Sequence, residues 1–165
     1  MQFTLRTPSD KQFQEICQLI SEFRLDNREL HAGQFIAAVG ENELVGFGRL
    51  RRHADCTELC SLGVIASQRR KGIGKALVKE LISRAAGNVY LVCIIPDFFR
   101  PFGFKIVADF PSAIKNKLGY CSSELAVPET YLQCCFRNNF SKALSTLISK
   151  ADSLLRSNLD AANRS

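Results

Sequence analysis

The stretch SQRRKGIGKALVKELI, residues 67–82, sets Arg69, Arg70 and Lys71 directly before Gly72-Ile73-Gly74 and then becomes amphipathic. Ile73, Leu77 and Leu81 recur at steps of four, with Val78, Ile82 and Ala85 beside them, the spacing of a helix that buries one face. Gly87 is expected to end that helix at C′. Residues 57–64 before it read as a strand. Residues 89–95 after it, VYLVCII, are an unbroken apolar run, as in a central strand buried on both faces. The helix start has two readings. One is a capped surface helix with a charged loop. The other is a phosphate cradle: a helix N-terminus offers unpaired N–H groups and a favourable dipole, and glycines let an anion approach the backbone. Arg69, Arg70, Lys71 and Lys75 add charge. A Walker A loop is excluded because Gly74-Lys75 is followed by Ala76, and a dinucleotide fingerprint because Leu77 stands where the third glycine belongs.

Outward from this centre, Phe3 to Thr7 alternates as a first strand, and Ser9 or Asp10 caps a helix with Phe13, Ile16, Cys17, Leu19, Ile20 and Phe23 as its apolar positions. Residues 25–33 are polar, a loop or a short helix. Phe35–Val39 and Leu44–Leu50 form a hairpin about GENE (40–43), its return arm loosened by Gly46 and Gly48, and RRHAD leads on as a polar loop. Pro96 and Asp97 open a short aromatic helix, FFRPF. A strand over 104–108, a small helix over 111–118 and a last strand over 131–136 complete the mixed αβ order. After Asn139 a heptad-like stripe (Phe140, Leu144, Leu147, Ala151, Leu154) predicts a C-terminal amphipathic helix that covers its own domain or exchanges in a homodimer. The expected division is a domain over 1–137 and a helical tail over 138–165.

A chain of 165 residues, 46% hydrophobic and 23% charged, suits one domain with a sizeable core. No apolar run reaches membrane-spanning length and the N-terminus lacks a signal peptide's apolar region, so neither a membrane span nor secretion is expected. The seven cysteines form no CxxC pair, and several sit in apolar runs; free thiols point to a reducing cytoplasm. His53, Cys56 and Cys60 lie close in sequence but lack a fourth ligand, so no metal is expected. The net charge of +6 allows nucleic acid, an acidic membrane or a polyanionic small molecule as partner. Nucleic acid is disfavoured because the aromatics fall in apolar runs rather than among basic residues.

Arg69-Arg70-Lys71-Gly72-Ile73-Gly74 fits the Arg/Gln-x-x-Gly-x-Gly/Ala pattern of the GNAT superfamily of acyl-CoA-dependent N-acyltransferases. The segment LGVIASQRRKGIGKALVKELI resembles the family's strand, pyrophosphate loop and helix. The segment VYLVCIIPDFFRPFGFKIV is similar to its next strand, short helix and aromatic-Gly-Phe closure. The resemblance implies an α/β (α+β) fold: a mixed, twisted sheet that splays between the strands at 57–64 and 89–95, flanked by helices. It implies acetyl-CoA in that gap as cosubstrate, with the pantetheine arm along Leu62, Gly63 and Val64 and the pyrophosphate on the N–H groups from Arg69 through Arg70, Lys71, Gly72, Ile73 and Gly74 to Lys75. Glu58 stands six residues before Val64, at the family's frequent glutamate base, and the segment 59–66 after it carries no charge. The alternative for Glu58 is a strand-end residue facing water. The family's usual tyrosine acid is replaced by Phe99; either the thiolate leaves unprotonated or Tyr120, Cys93 or Cys121 substitutes. FFRPFGF and KNKLGYCSSE look like the acetyltransferase domains of N-acetylglutamate synthases, which implies a small amine such as an amino acid as acceptor. Arg49, Arg51 and Arg52 could receive its carboxylate, or line a solvated face. Protein acetylation and a non-catalytic acyl-CoA sensor are the alternatives.

Overall fold

The computed structural model describes residues 2–139. Seven strands form one sheet: β1 (Thr4–Arg6), β2 (Phe35–Gly40), β3 (Glu43–Arg52), β4 (Thr57–Val64), β5 (Val89–Cys93), β6 (Lys105–Ile106) and β7 (Gln133–Arg137), in the order β1-β2-β3-β4-β5-β7-β6. Every neighbouring pair is antiparallel except β4 and β5, which the crossover helix α2 (Ile73–Arg84) joins in parallel. Helix α1 (Asp10–Glu22) precedes β2, α3 (Pro96–Phe99) follows β5, and α4 (Ser112–Ser123) precedes β7. The sheet is sandwiched. On one face, Ile73, Leu77 and Leu81 of α2 and Phe99 of α3 pack against Ile36, Ala38, Leu59, Val89 and Leu91. On the other, Ile16 and Ile20 of α1 meet Phe35, Ala37 and Phe47, while Ile114 of α4 covers Cys134, with Tyr90 and Val92 beside it. Among the described residues no helix is long and apolar enough to cross a membrane.

Local chemistry accounts for most element ends. Ser9 caps α1 in a reciprocal box with Gln12. The two-residue hairpin turn puts Glu41 (φ 49°) and Asn42 (φ 72°) in the left-handed region, as a type I′ turn requires. Gly46 and Gly48 are not loosening points but sites of close approach. A Cβ on Gly46 would lie 3.1 Å from Ile73, and one on Gly48 2.6 Å from Leu81, so their bareness seats α2 on β3.

Several expectations are corrected. The β3 strand runs on through Arg51 and Arg52, which leaves a shorter loop after it. Helix α2 ends at Arg84 with Ala85 extended, before Gly87. The cap comes instead from far along the chain: the Asn139 amide donates to Ile82 O (3.2 Å) and Ala85 O (2.8 Å). The run after Gly87 pairs only as far as Cys93, and Ile94 and Ile95 are 60% and 55% exposed, because they stand where the sheet has parted. The strand expected over 104–108 shrinks to Lys105–Ile106, and the small helix lengthens to Ser112–Ser123. The amphipathic tail expected beyond Asn139 lies outside the described residues. All seven cysteines are unpaired. Burial pushes the thiols of Cys56, Cys60, Cys93 and Cys134 up to about 12.

Asn139 is buried and satisfies two helix-end carbonyls at once. Asn139→Ala is expected to cost about 2 kcal/mol in urea unfolding, with the change confined to stability.

Candidate active site

The parallel junction fixes the site. Among the described residues, β4 and β5 pair only at Thr57–Val89 and Glu58–Tyr90, and beyond that the strands diverge. A bulge follows at once on the β3 side of β4: Phe47 pairs with Gly63 and Arg49 with Cys60, so Ser61 and Leu62 together face Gly48. Ser61 takes φ 47°, and its hydroxyl donates to Asp26 O at 3.2 Å. The extra residue reverses the side-chain alternation. Glu58 and Cys60 face α1 and α4, whereas Leu62 and Val64 face α2.

On the α2 face the divergence opens a cavity of about 540 Å³. Leu62, Val64, Ile95 and Phe98 give it an apolar wall, and Arg69, Arg70, Gly72, Ile73, Gly74 and Lys75 close one end. Ile73, Gly74 and Lys75 are the first helical residues of α2, whose N–H groups have no partner within the helix. Gly72, at φ 82°, supplies the left-handed entry and offers no capping side chain. Arg69 donates from Nε to Val64 O at 3.2 Å. Two of the residues expected at this cavity are not part of its lining. Gly63 lies on the other side of β4, where a Cβ would strike the Phe47 ring at 2.7 Å, and Lys71 turns to Gln68 Oε1 at 2.8 Å. Gln68, Ile95 and Phe98 join the wall without having been singled out. Only their place after a strand or opposite the glycines could have marked them.

On the opposite face a second cavity, of about 380 Å³, is lined by Arg28, Arg51, His53, Asp55, Glu58 and Asn116 among others. Glu58 does not face water: it is 1% exposed. Its Oε2 lies 3.0 Å from His53 Nε2. Its Oε1 lies 3.1 Å from Lys117 Nζ, an ion pair without hydrogen-bond alignment. Lys117, itself buried, donates to Asp26 Oδ2 at 2.7 Å. Arg28 grips the same carboxylate with Nε (2.9 Å) and Nη2 (2.6 Å), and lies 3.8 Å over the Tyr120 ring. Burial works against the Asp26 charge, but the Arg28 and Lys117 hydrogen bonds outweigh it and hold the carboxyl well below the usual carboxylate range. Burial likewise works against the Lys117 charge, and the surrounding Cys60, Glu58 and Asp26 outweigh it, raising the ammonium above its ordinary value.

Of the three strand arginines only Arg52 is exposed to solvent. Arg49 is fully buried and donates to Gln34 Oε1 and to the carbonyls of Arg28 and Glu29. It clamps the loop between α1 and β2. Arg51 pairs with Glu29 at the cavity rim. Of the candidate acids, Tyr120 donates to Asn27 Oδ1 at 3.0 Å, and Cys121 is buried with its thiol pushed up by burial. Cys93 lies against Cys135. Phe99 is a core residue, edge-on to Phe98 and Phe104. Among the described residues no group of three or more His, Cys, Asp or Glu could hold a metal. His53 instead belongs to Glu58.

The ion network carries a pH signature. Asp26 ionises at lower pH in the folded chain than in the unfolded one. Its contribution is therefore present in full about one unit and more above the unfolded value of about 3.9 and fades as pH falls below about 5 toward the folded value. Asp26→Asn is expected to be less stable at neutral pH and to lose less stability than the parent between about pH 6 and about pH 3. Lys117→Met, which removes the buried cation shared by Asp26 and Glu58, is expected to cost about 3 kcal/mol. Urea midpoints across pH check both.

Comparison with known proteins bears on this geometry. No curated protein sequence matches the chain. Among solved structures, N-acetylglutamate synthase from Neisseria gonorrhoeae, complexed with coenzyme A and N-acetyl-glutamate, superposes with TM-score 0.68 at 16% identity over 84% of this chain. The chain spans 35% of that enzyme's length. A Mycobacterium tuberculosis protein solved in complex with CoA and NLQ gives TM-score 0.64 at 17% identity, covering 82% of this chain and 98% of its own. Ard1 from Thermoplasma volcanium gives 0.61 at 17% identity, covering 84% and 98%. Residues 4–104 match the profile of the acetyltransferase (GNAT) family. The parted strands, the glycine-led helix between them and that match agree: the chain belongs to the acetyltransferase (GNAT) family.

Proposed function

We propose that the protein is an N-acetyltransferase that moves the acetyl group of acetyl-CoA to a primary amine of a small molecule such as an amino acid, by direct attack in a ternary complex. The observation that carries this reading is the junction of β4 and β5. The strands part immediately after Glu58, leaving an anion-binding gap on one face and a carboxylate-lined cavity on the other. Acetyl-CoA supplies the activated acyl group and a thiolate leaving group. An apolar slot between Leu62, Val64, Ile95 and Phe98 suits its pantetheine arm. The amides of Ile73 to Lys75, with Arg69 and Arg70, suit its pyrophosphate. The unpaired edge of β4 near Val64 offers backbone N–H groups to the thioester oxygen. Glu58, ion-paired with Lys117, stands behind the cavity on that face.

The acceptor cavity, about 380 Å³ and rimmed by Arg28 and Arg51, favours a small amine that also carries an anionic group over an extended polypeptide. The unpaired thiols favour a reducing, cytoplasmic setting. Turnover of acetyl-CoA against a panel of amino acids, other small amines and peptides tests the reading. Release of thiol with the amino acids and not with peptides supports it, and acetylation of peptides alone overturns the substrate class.

The cradle is testable apart from turnover. A Cβ on Gly74 would lie 3.4 Å from the Phe98 ring at the gap wall, so Gly74→Glu puts bulk and negative charge where an anion would sit. It is expected to abolish CoA binding in isothermal titration while leaving the fold intact. Arg70→Ala, which removes one exposed charge, is expected to weaken binding about fivefold.

A further inference from the structure

We propose that His53, not Glu58, takes the proton from the acceptor amine, and that Glu58 positions and charges the His53 ring. This rests on the acetyltransferase reading above and names the residue that meets the acceptor. Glu58 is committed on both oxygens, to His53 at 3.0 Å and to Lys117 at 3.1 Å, and is 1% exposed. A carboxylate so placed has little access to an amine in the cavity. His53 has that access: its side chain is 18% exposed and lines the cavity. It sits in the turn after β3, its backbone N–H held by Cys56 O at 2.8 Å, so the ring's root is fixed.

The pairing also settles which nitrogen works. Lys117, held by Asp26, forms an ion pair with Glu58 Oε1 at 3.1 Å. An ionised carboxylate only accepts hydrogen bonds, so Nε2 carries the proton and Nδ1 is left with its lone pair. One proton of the substrate ammonium passes to Nδ1, and Glu58 stabilises the resulting imidazolium. The amine nitrogen then bonds to the acetyl carbon as the carbon–sulfur bond breaks. The second amine proton goes to the departing thiolate, and His53 returns its proton to solvent. The same logic, a buried carboxylate fixing the tautomer of a catalytic imidazole, operates in hydrolytic triads. The charged groups facing His53 are Glu58 from β4, Asp55 from its own turn, Arg51 from β3 and Arg28 from the loop before β2; α4 contributes Lys117 through Glu58.

Two measurements decide it. The chain has two histidines, and the exposed His31 serves as internal reference. Nitrogen-detected NMR of the free protein above the His titration range is expected to find His53 with its proton on Nε2, and a mixture of tautomers in Glu58→Gln. A proton on Nδ1 in the parent overturns the assignment without any turnover. In the second, His53→Gln is expected to keep acetyl-CoA affinity and lose about 10²-fold in kcat near neutral pH. That deficit should shrink as pH rises and the amine deprotonates itself, and imidazole should partly restore the His53→Ala variant. A His53→Gln enzyme within twofold of the parent, beside a Glu58→Gln enzyme that is slow, returns the base to Glu58. If the parent turns over no amine at all, the acetyltransferase reading fails, and the NMR result stands on its own.

Discussion

Two strands that share a hydrogen-bond ladder for two residues and then separate are the constraint on which the rest depends. A sheet interior normally satisfies every backbone group, and opening it leaves donors and acceptors that need water or a ligand. The chain confines that cost to the stretch past Glu58 and Tyr90. Placing a bulge at Ser61, one turn of the strand later, swings Leu62 and Val64 to the face where α2 begins. The last paired residue of β4 thus stands at the apex of the opening, with its carboxylate on one side of the sheet and the gap on the other. One backbone event positions both the gap beside α2 and the buried carboxylate on the opposite face.

Burying a carboxylate at that apex sets a chain of dependencies. Glu58 needs Lys117, Lys117 needs a second carboxylate, and Asp26 in turn is gripped by Arg28. The partners come from β4, α4 and the loop after α1. Ion pairs of this kind add little net stability compared with apolar packing, but they penalise every arrangement in which one member is missing. Here they select one docking of α4 and one path for residues 25–34, which Arg49 secures from beneath through two carbonyls.

Much of this was legible in the chain. Residues 57–64 and the start of the helix behind Gly72 announce themselves through local periodicity and glycine placement and agree with the structure, whereas the helix stops short of Gly87. The expectations for Glu58 and for a phosphate loop at 69–75 came with the family resemblance, and spacing alone left a plain capped helix open. The partners of Glu58 were not legible. Asp26, Arg28, His53 and Lys117 are scattered over four segments, and no spacing connects them until the sheet brings them together. Arg49 was misleading for a definite reason: an alternating Arg-x-Arg strand looks the same whether its outer face meets water or a loop that supplies carbonyls. Gly46 and Gly48 read as weakness because a sequence names the missing side chain but not the helix that fills its place. The apolar run from Val89 to Ile95 looked like uniform burial because hydropathy cannot tell a core strand from the lip of an opening.

The thiols carry a practical consequence. Seven unpaired cysteines are spread over α1, the turn before β4, the strands β4, β5 and β7, and α4, and burial holds four of them up to about 12. A thiol that stays protonated and covered is nearly inert to alkylating reagents, and it becomes reactive only when its neighbourhood opens. The native chain therefore contains a set of built-in clocks. The rate at which Cys60 is modified reports the opening of the face that bears Glu58, and Cys121 that of α4. Cys134 reports the β7 end of that same face, so a single mass-resolved alkylation time course would map which parts of the domain breathe together.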